Sequence, residues 1–276
     1  MRRTIVAALA LTVGVAGSVA LGPACSQRQR SKIEGQIANA VVSDETEREL
    51  GRQVHQELEK QGVRYVQDPV VTRYVEGIVT RLAKEVKREG AADDLKVFVI
   101  DDPKTVNAFA TPGGRLYVFT GLLLTAEDEA EVAGVLGHEI GHIVASHPSK
   151  RIALAMGFET LASLALGQDP GQLQELAASL LGGGVLAAHG RGEENEADEL
   201  GLGYLHRAGF DPRGMVRFFK RIREASGDTP KALVWLSSHP TTTSRIDNVR
   251  ETIKSRGWEG GEEGVETHAA IRAALR

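Results

Sequence analysis

The segment from residue 126 to 146 constrains the fold most, because it combines a helical pattern with three glycines on one side. Thr125, with Asp128 three residues later, is expected to cap a helix over these residues that Pro148 closes. The glycines of this side are Gly134, Gly137 and Gly141. Each costs up to about 1 kcal/mol of helix propensity relative to alanine. Close approach of another backbone would offset that cost, so we expect a helix that is buried on nearly all sides.

The same helix carries His138-Glu139-Ile140-Gly141-His142, which is the pattern His-Glu-x-x-His. Because four residues span about 400° of helical turn, the two imidazoles project about 40° apart and can converge on one ion. On a helix, this pattern is typical of a zinc site in which the glutamate acts as a general base. His138 and His142 are therefore candidate metal ligands, and Glu139 is the candidate catalytic base.

A zinc site that performs catalysis needs a third protein ligand and an open position for water. A continuous helix would place His147 about 180° from His138, and a ligand ten residues after His138 would fall on Pro148. A carboxylate from a second helix is the other solution. Residues 191–198 supply an acidic cluster at a predicted helix start, whose candidates are Glu193, Glu194, Glu196 and Asp198.

Outside this helix the chain is predicted to be α+β and mostly helical. Residues 95–119 change from the helical period to alternating apolar runs separated by Asp-Asp-Pro and Pro-Gly-Gly turns, which predicts a small antiparallel sheet. Capping and periodicity predict further helices after Ser43, after Asp68, near 193–207 and at 212–225.

Residues 152–190 are apolar and rich in small side chains, with a Gly-Gln-Asp-Pro-Gly break in the middle. The pattern indicates a helical hairpin. Each half is shorter than a membrane span, and Glu159 interrupts the first half, so we favour a mobile flap over a cleft rather than a spanning hairpin.

The amino terminus has the pattern of an export signal, with two arginines, an apolar run and then Cys25. We expect a signal peptide over residues 1–25 with lipid on Cys25, and the alternatives are a soluble secreted form or an uncleaved anchor. The expected order continues with a linker at 26–40, one domain at 41–252 and a flexible tail at 253–276. Each alternative places the domain outside the cytoplasm.

Charge and cysteine content exclude several classes of protein. The net charge of −4 and the sequence pI of about 6.1 argue against a nucleic-acid partner, which would require a basic surface. The chain has one cysteine, which excludes an intramolecular disulfide and zinc sites built on paired thiolates. Histidines and carboxylates must therefore supply the ligands of any metal.

Several motifs, taken in order, resemble those of the HtpX-like and CAAX-prenyl-protease-like zinc metallopeptidases, the forty-eighth metallopeptidase family, and especially its periplasmic bacterial members. The resemblance covers roughly residues 40–250 and rests on the segments 106–114, 121–123, 135–142 and 194–198. It implies a zincin-like fold of the gluzincin type with one zinc ion per chain. It also implies that Glu194 is the third ligand and that Asp198 orients a ligand histidine.

Residues 238–246, which contain His239 and Arg245, match another pattern of that family. The resemblance implies that His239 approaches the metal as a regulatory or auxiliary group, and either side chain could donate to the transition-state oxyanion. We also expect residues 114–119 to form an exposed sheet edge that pairs with an extended substrate. The other histidines are expected to be structural or exposed, and they are His55, His189, His206 and His268.

The function implied is that of a zinc-dependent endopeptidase in the bacterial envelope, on the periplasmic side and anchored through a lipid on Cys25. Zinc would activate a water, and Glu139 would take its proton and return it to the departing amine. The expected substrates are unfolded or misassembled envelope polypeptides, which points to protein quality control. The alternatives are a zinc-binding assembly factor or chaperone with latent proteolysis, and a structural lipoprotein without zinc.

Overall fold

The computed structural model describes residues 43–87, 95–184, 188–225 and 233–276, all within one unit that spans residues 38–276. The predicted signal peptide at 1–25, the lipid on Cys25 and the linker at 26–40 lie outside the described residues.

Two helices precede the sheet, and both begin at the predicted caps. Helix α1 spans Asp44–Lys60, and the hydroxyl of Ser43 accepts a hydrogen bond from the Thr46 amide at 3.1 Å. Helix α2 spans Pro69–Ala83, and Asp68 accepts from the Val70 amide at 2.7 Å. In each case an oxygen atom of the cap satisfies an amide of the first turn that has no partner within the helix.

The sheet is mixed rather than antiparallel, which corrects the prediction. Its strands are β1 (Lys96–Ile100), β2 (Ala108–Thr111) and β3 (Arg115–Phe119), in the order β1-β3-β2. Strands β2 and β3 form the expected antiparallel hairpin, whereas β1 pairs parallel to β3. Both faces of β3 are buried in different apolar clusters, as is typical of sheets with parallel pairs. Since β3 lies in the middle, the prediction that residues 114–119 form a sheet edge is wrong.

The helix with the His-Glu-x-x-His pattern is shorter than predicted and has a different cap. Thr125 ends helix α3 (Thr120–Thr125), and helix α4 spans Glu129–Val144. The cap of α4 is Asp128, which accepts a hydrogen bond from the Glu131 amide at 2.8 Å. The helix begins after Asp128 because the Asp128 carboxylate satisfies an amide of the first turn that has no partner within the helix.

The chain turns sharply after α4. Ser146 has a left-handed backbone with φ of 53°, a conformation that costs a residue other than glycine about 1–3 kcal/mol. Helix α5 (His147–Met156) then begins, with Pro148 in its first turn. Pro148 therefore starts the next helix, as its fixed φ and missing amide proton favour.

The glycine side of α4 contacts other backbones, which confirms the expected burial. Its neighbours are helix α8 (Arg191–Arg207) and helix α9 (Arg213–Ala225). A Cβ atom added at Gly141 would lie 2.7 Å from the Ala197 carbonyl oxygen, and one at Gly134 would lie 2.8 Å from the Met215 Cα. Small residues are thus required for α8 to lie this close to α4.

The segment after α5 forms two further helices, α6 (Phe158–Ala165) and α7 (Pro170–Gly182). Their apolar residues join α1 and one face of the sheet in the smaller of the two apolar clusters. In the described part of the chain, no helix combines the length and the apolar character needed to cross a membrane.

The carboxyl-terminal residues 253–276 are folded, so the prediction of a flexible tail is wrong. Helices α10 (Leu233–Ser238) and α11 (Thr243–Ser255) are followed by α12 (Val265–Ala274). His268 and Ile271 of α12 are buried, and the Ala130 amide of α4 donates to the Glu263 carbonyl at 3.1 Å. The tail therefore closes over the amino-terminal end of α4.

Candidate metal centre

Four buried side chains converge at the carboxyl-terminal half of α4. His138 and His142 come from α4, Glu194 comes from the first turn of α8, and His239 follows α10. One potential ligand atom from each lies within 4.8 Å of all the others. The predicted ligands are thus brought together, and His239 joins them.

The spacing of these atoms fits a tetrahedral metal ion. Ligands about 2.0–2.1 Å from zinc would be about 3.3 Å from one another. The two Nε2 atoms of His138 and His142 are 3.0 Å apart, and they lie 3.6 and 3.3 Å from the Glu194 carboxylate oxygens. Two imidazoles and a carboxylate are also a donor set that zinc accepts in catalytic sites. These three side chains could therefore hold zinc.

His239 lies where a fourth ligand would be. Its Nδ1 atom is 3.2 Å from His138 Nε2 and 3.0 Å from Glu194 Oε1. The position that a catalytic zinc site keeps open for water is therefore next to this ring. The predicted proximity of His239 to the site is consistent with this geometry.

Glu139 points into the site from the adjoining flank of α4. It is 1% exposed, and its carboxylate accepts a hydrogen bond from the Ala110 amide of β2. Its Oε1 atom lies 3.3 Å from His239 Nε2 but has no hydrogen-bond partner among the described residues. A buried carboxylate oxygen without a partner is costly, and a water at this point would relieve that cost.

Asp198 and Arg245 support His138 from behind. Asp198 Oδ1 is 2.9 Å from His138 Nδ1, on the side of the ring opposite the cluster. Arg245 holds Asp198 by two hydrogen bonds, at 2.6 Å from Nε and 2.7 Å from Nη2, and it also forms an ion pair with Glu194. Arg245 therefore contacts both carboxylates, and its Nη2 atom also lies 3.3 Å from the His138 ring nitrogens.

Burial governs the protonation of the site. Burial and the nearby Arg245 hold the pKa of His138 well below its usual range, and burial lowers the pKa of His142 likewise. Neutral imidazoles are the form that binds a metal. Burial and the charge of Glu194 raise the pKa of Glu139 well above its usual range.

The pKa values of the two carboxyl groups nearest His138, those of Glu194 and Asp198, shift in opposite directions. Burial raises the pKa of Glu194, but the neighbouring His239 and the guanidinium of Arg245 outweigh burial and hold this pKa well below its usual value. Burial raises the pKa of Asp198 to about 6, against the opposing effect of Arg245. Glu194 is thus the better anionic ligand of the two.

His147 does not face away from the site, which corrects the prediction. Because α4 ends at Val144 and Ser146 turns the chain, His147 returns over the site, with its Nδ1 atom 2.9 Å from His142 Nδ1. It is outside the group of four and approaches that group at the rear of His142. The error arose because the predicted helix continued to residue 146, two residues beyond its observed end at Val144.

His189 also has partners that the sequence did not indicate. Its ring stacks on His142 with a centroid separation of 3.9 Å and on His239 at 5.2 Å, and its amide donates to the Ser238 carbonyl. It stands in the non-helical segment before α8, where residue spacing predicts no neighbour. His55, His206 and His268 have structural contacts elsewhere, with Tyr117, Trp258 and Tyr74 respectively.

The remaining acids of the predicted cluster lie outside the group of four. Glu193 caps its own helix by accepting from the Gly190 amide at 2.8 Å. Glu196 is 3.4 Å from His147 Nε2, and its side chain is 60% exposed. Neither carboxylate belongs to the cluster that could hold a metal.

Comparison with known proteins agrees with this geometry. Residues 69–253 match the family described as Peptidase family M48. The chain is 37% identical over 179 residues to the mitochondrial metalloendopeptidase OMA1 of Schizosaccharomyces pombe, which covers 63% of this chain and 52% of that protein. It is 31% identical over 212 residues to a putative beta-barrel assembly-enhancing protease of Vibrio cholerae, which covers 68% of this chain and 40% of that protein.

A shorter relative is matched over more of its length. The metalloprotease YcaL of Escherichia coli is 30% identical over 184 residues, which covers 63% of this chain and 70% of that protein. The match to the first two relatives covers about half of their length or less.

Members of the matched family use zinc, and the cluster of His138, His142, Glu194 and His239 could hold one such ion. The chain belongs to peptidase family M48 and is a metallopeptidase by that membership.

Proposed function

We propose that this protein is a zinc-dependent endopeptidase in which His138, His142 and Glu194 hold the metal and Glu139 is the general base. The observation that carries the proposal is the unpartnered Oε1 atom of Glu139 beside three side chains whose nitrogen and carboxylate oxygen atoms lie 3.0–3.6 Å apart, close to the spacing around a tetrahedral ion. Zinc, when bound, lowers the pKa of water and polarises a carbonyl. The burial that raises the pKa of Glu139 suits a group that must take a proton and release it again.

The roles of the protein groups follow from their positions. Glu139 takes the proton of the attacking water and returns it to the departing amine, which one carboxylate can do in turn. Asp198 orients His138, and Arg245 holds Asp198. His239 or Arg245 can donate a hydrogen bond to the oxyanion, since both lie beside Glu139 or Glu194.

The substrate pairs with β2 rather than with β3 in this proposal. The Phe119 amide donates to the Asn107 carbonyl at 3.1 Å, so the alternation of an antiparallel pair turns the peptide groups of Ala108 and Ala110 away from β3. Of these groups, the Ala110 amide already donates to Glu139. The others can bond an extended polypeptide next to the general base.

Because such pairing reads backbone rather than side chains, we propose unfolded or misassembled envelope polypeptides as substrates. One relative is named a putative beta-barrel assembly-enhancing protease, which supports an envelope role. We further propose that the domain lies on the periplasmic side of the envelope and is anchored through a lipid on Cys25, in line with the signal pattern.

The cleft between β2 and His239 must open before a polypeptide can pair with β2. The cavity between β2 and His239 has a volume of about 20 Å³, enough for about one water molecule. Ile152 of α5 and both Leu176 and Leu180 of α7 line it. Movement of this layer away from β2 would admit a chain, consistent with a flap over the cleft.

The test is proteolysis of casein and metal content for the wild type, Glu139→Gln and His138→Ala. Glu139→Gln is expected to keep one zinc per chain and to lose at least about 100-fold in rate, since it cannot take a proton. His138→Ala is expected to lose both zinc and activity. A wild type without stoichiometric zinc, or a Glu139→Gln variant with full activity, would contradict the proposal.

A second candidate is a zinc-binding assembly factor whose proteolysis is latent because His239 occupies the open position. The 3.2 Å separation between His239 Nδ1 and His138 Nε2 favours it. His239→Ala separates the two: a rise in casein cleavage indicates a latent site, and a fall indicates that His239 assists the reaction. If Glu139→Gln restores function in cells that lack the protein and His138→Ala does not, then zinc binding rather than proteolysis is the main cellular role.

A further inference from the structure

The two histidines of α4 are supported from behind by groups of different chemistry. His138 Nδ1 faces the carboxylate of Asp198 at 2.9 Å. His142 Nδ1 instead faces a second imidazole, His147 Nδ1, also at 2.9 Å. A histidine that binds a metal nearly always donates its other N–H to such a neighbour, which fixes both the tautomer and the ring orientation.

The tautomers of both rings follow from the geometry. His142 Nε2 faces His138 and Glu194, so this nitrogen must be free of a proton to bind a metal, and the proton of the neutral ring is on Nδ1. Two nitrogens 2.9 Å apart form a hydrogen bond only if one of them accepts. His147 Nδ1 must therefore be the acceptor, and the proton of its neutral ring is on Nε2.

The proton on His147 Nε2 also has an acceptor. His147 Nε2 lies 3.4 Å from Glu196 Oε2, so the order is Glu196, His147, His142 and then the cluster. His147 is 3% exposed, whereas the side chain of Glu196 is 60% exposed. The buried His147 therefore does most of the orienting, and Glu196 contributes less because water competes for it.

We propose that His147 is a positioning residue that fixes the Nδ1–H tautomer and the ring orientation of His142 for metal binding. This inference rests on the proposed zinc site. His147 touches neither the metal position nor the substrate, and it acts only through His142. Backbone geometry supports the role, since the left-handed Ser146 is what returns His147 over the site.

The experiment measures zinc affinity by competition with a chelator in the full chain. His147→Leu removes the acceptor and is expected to weaken zinc binding by about 10–100-fold, the usual effect of losing such a support. His147→Asn keeps an acceptor close to the position of Nδ1 and is expected to recover most of the affinity. His147→Gln places its amide farther out, toward Glu196, and should bind zinc as weakly as the leucine variant.

The matched control is His268→Leu. His268 is also buried and bonded at both nitrogens, to Tyr74 and to the Ala126 carbonyl, but it lies outside the cluster. It is expected to lower stability without changing zinc affinity. An equal loss of zinc affinity in His268→Leu would show that the effect is general destabilisation and would overturn the inference.

Nitrogen chemical shifts give a second readout that a purely structural role would not move. Long-range proton–nitrogen spectra of the zinc-loaded wild type should report His142 protonated at Nδ1 and His147 at Nε2. The opposite tautomer of His147, or unchanged zinc affinity in His147→Leu, would refute the inference while leaving the zinc site intact. A wild type that binds no zinc would instead refute the proposed function.

Discussion

At the amino-terminal end of α4 the buried acids are bonded to arginines, whereas at its carboxyl-terminal end a buried carboxylate oxygen lacks a partner. Glu131 is 0% exposed and accepts two hydrogen bonds from Arg221, at 3.0 and 3.1 Å, and Asp128 accepts one from Arg217 at 2.8 Å. The hydrogen bonds to Glu131 and Glu127 raise the pKa of Arg221. In the carboxyl-terminal half of the same helix, Glu139 Oε1 has no hydrogen-bond partner among the described residues.

The difference teaches that one helix can carry a stabilising end and a reactive end. Paired and hydrogen-bonded charges do little harm to stability when buried, but a buried carboxyl oxygen without a hydrogen-bond partner opposes folding. A chain keeps such a group where its function requires it. The first end of α4 therefore stabilises the fold, whereas the second end carries a cost that the proposed metal and its water would relieve.

The largest expected effect is stabilisation by zinc at the reactive end. At free zinc 1,000-fold above the dissociation constant, binding should raise the free energy of unfolding by about 4 kcal/mol. Glu194→Gln should lose most of this gain, whereas Glu131→Gln at the other end should keep it. Thermal melts with zinc and with a chelator measure both, and an equal gain in the two variants would erase the distinction.

Gly141→Ala comes next, because it separates α4 from the helix that carries Glu194. The added Cβ would lie 2.7 Å from the Ala197 carbonyl, and we expect a loss of about 3 kcal/mol. Gly77→Ala is the control, since Gly77 lies on an exposed side of α2 with nothing within 4 Å of its added Cβ. That variant should gain up to about 1 kcal/mol in denaturant titrations.

Glu131→Gln tests the stabilising end directly. It removes a charge that accepts from Arg221 and from the Glu127 amide, and we expect a loss of about 2 kcal/mol in the free energy of unfolding. Casein cleavage by the zinc-loaded variant should stay near the wild-type rate below its melting temperature. A large loss of activity without a loss of stability would mean that the amino-terminal end of α4 serves the reaction rather than the stability of the fold.

Glu139→Gln should have the smallest effect on stability and the opposite sign. Without metal, replacing an unpaired buried acid by a neutral amide should leave the free energy of unfolding unchanged or raise it by up to about 1 kcal/mol. Glu175→Gln, at an exposed position of α7, is the control and should be neutral. Marked destabilisation of metal-free Glu139→Gln would mean that Glu139 also stabilises the fold.

The parts of the site that the sequence predicts are those that depend on one helix. His138, Glu139 and His142 follow from a four-residue spacing and a helical context, and the glycines indicate the close packing of α4. The distance from α4 to Glu194 depends on how two helices pack, and no spacing along the chain encodes it. The resemblance to a known family was needed to choose Glu194 among the neighbouring acids.

The errors occurred where the backbone departs from a regular element or pairs over a distance. The position of His147 depends on a left-handed Ser146, and the parallel pairing of β1 with β3 depends on packing on both faces of the sheet. Residues 257–264 have a composition typical of disorder, which hid the helix after them. The spacing of His268, Ile271 and Leu275 was a helical signal that could have found α12.

The glycine contact between α4 and α8 has a consequence for how the cleft can move. A Cβ added at Gly201 would lie 2.9 Å from both the Gly137 carbonyl carbon and the His138 amide nitrogen, so the two backbones touch beside the candidate metal centre. Such a contact leaves no compressible side chains between the helices. The floor that carries His138, His142 and Glu194 should therefore move as one rigid body. Under the proposed function, a polypeptide would then enter from the side where α5, α7 and the segment with His239 line the small cavity.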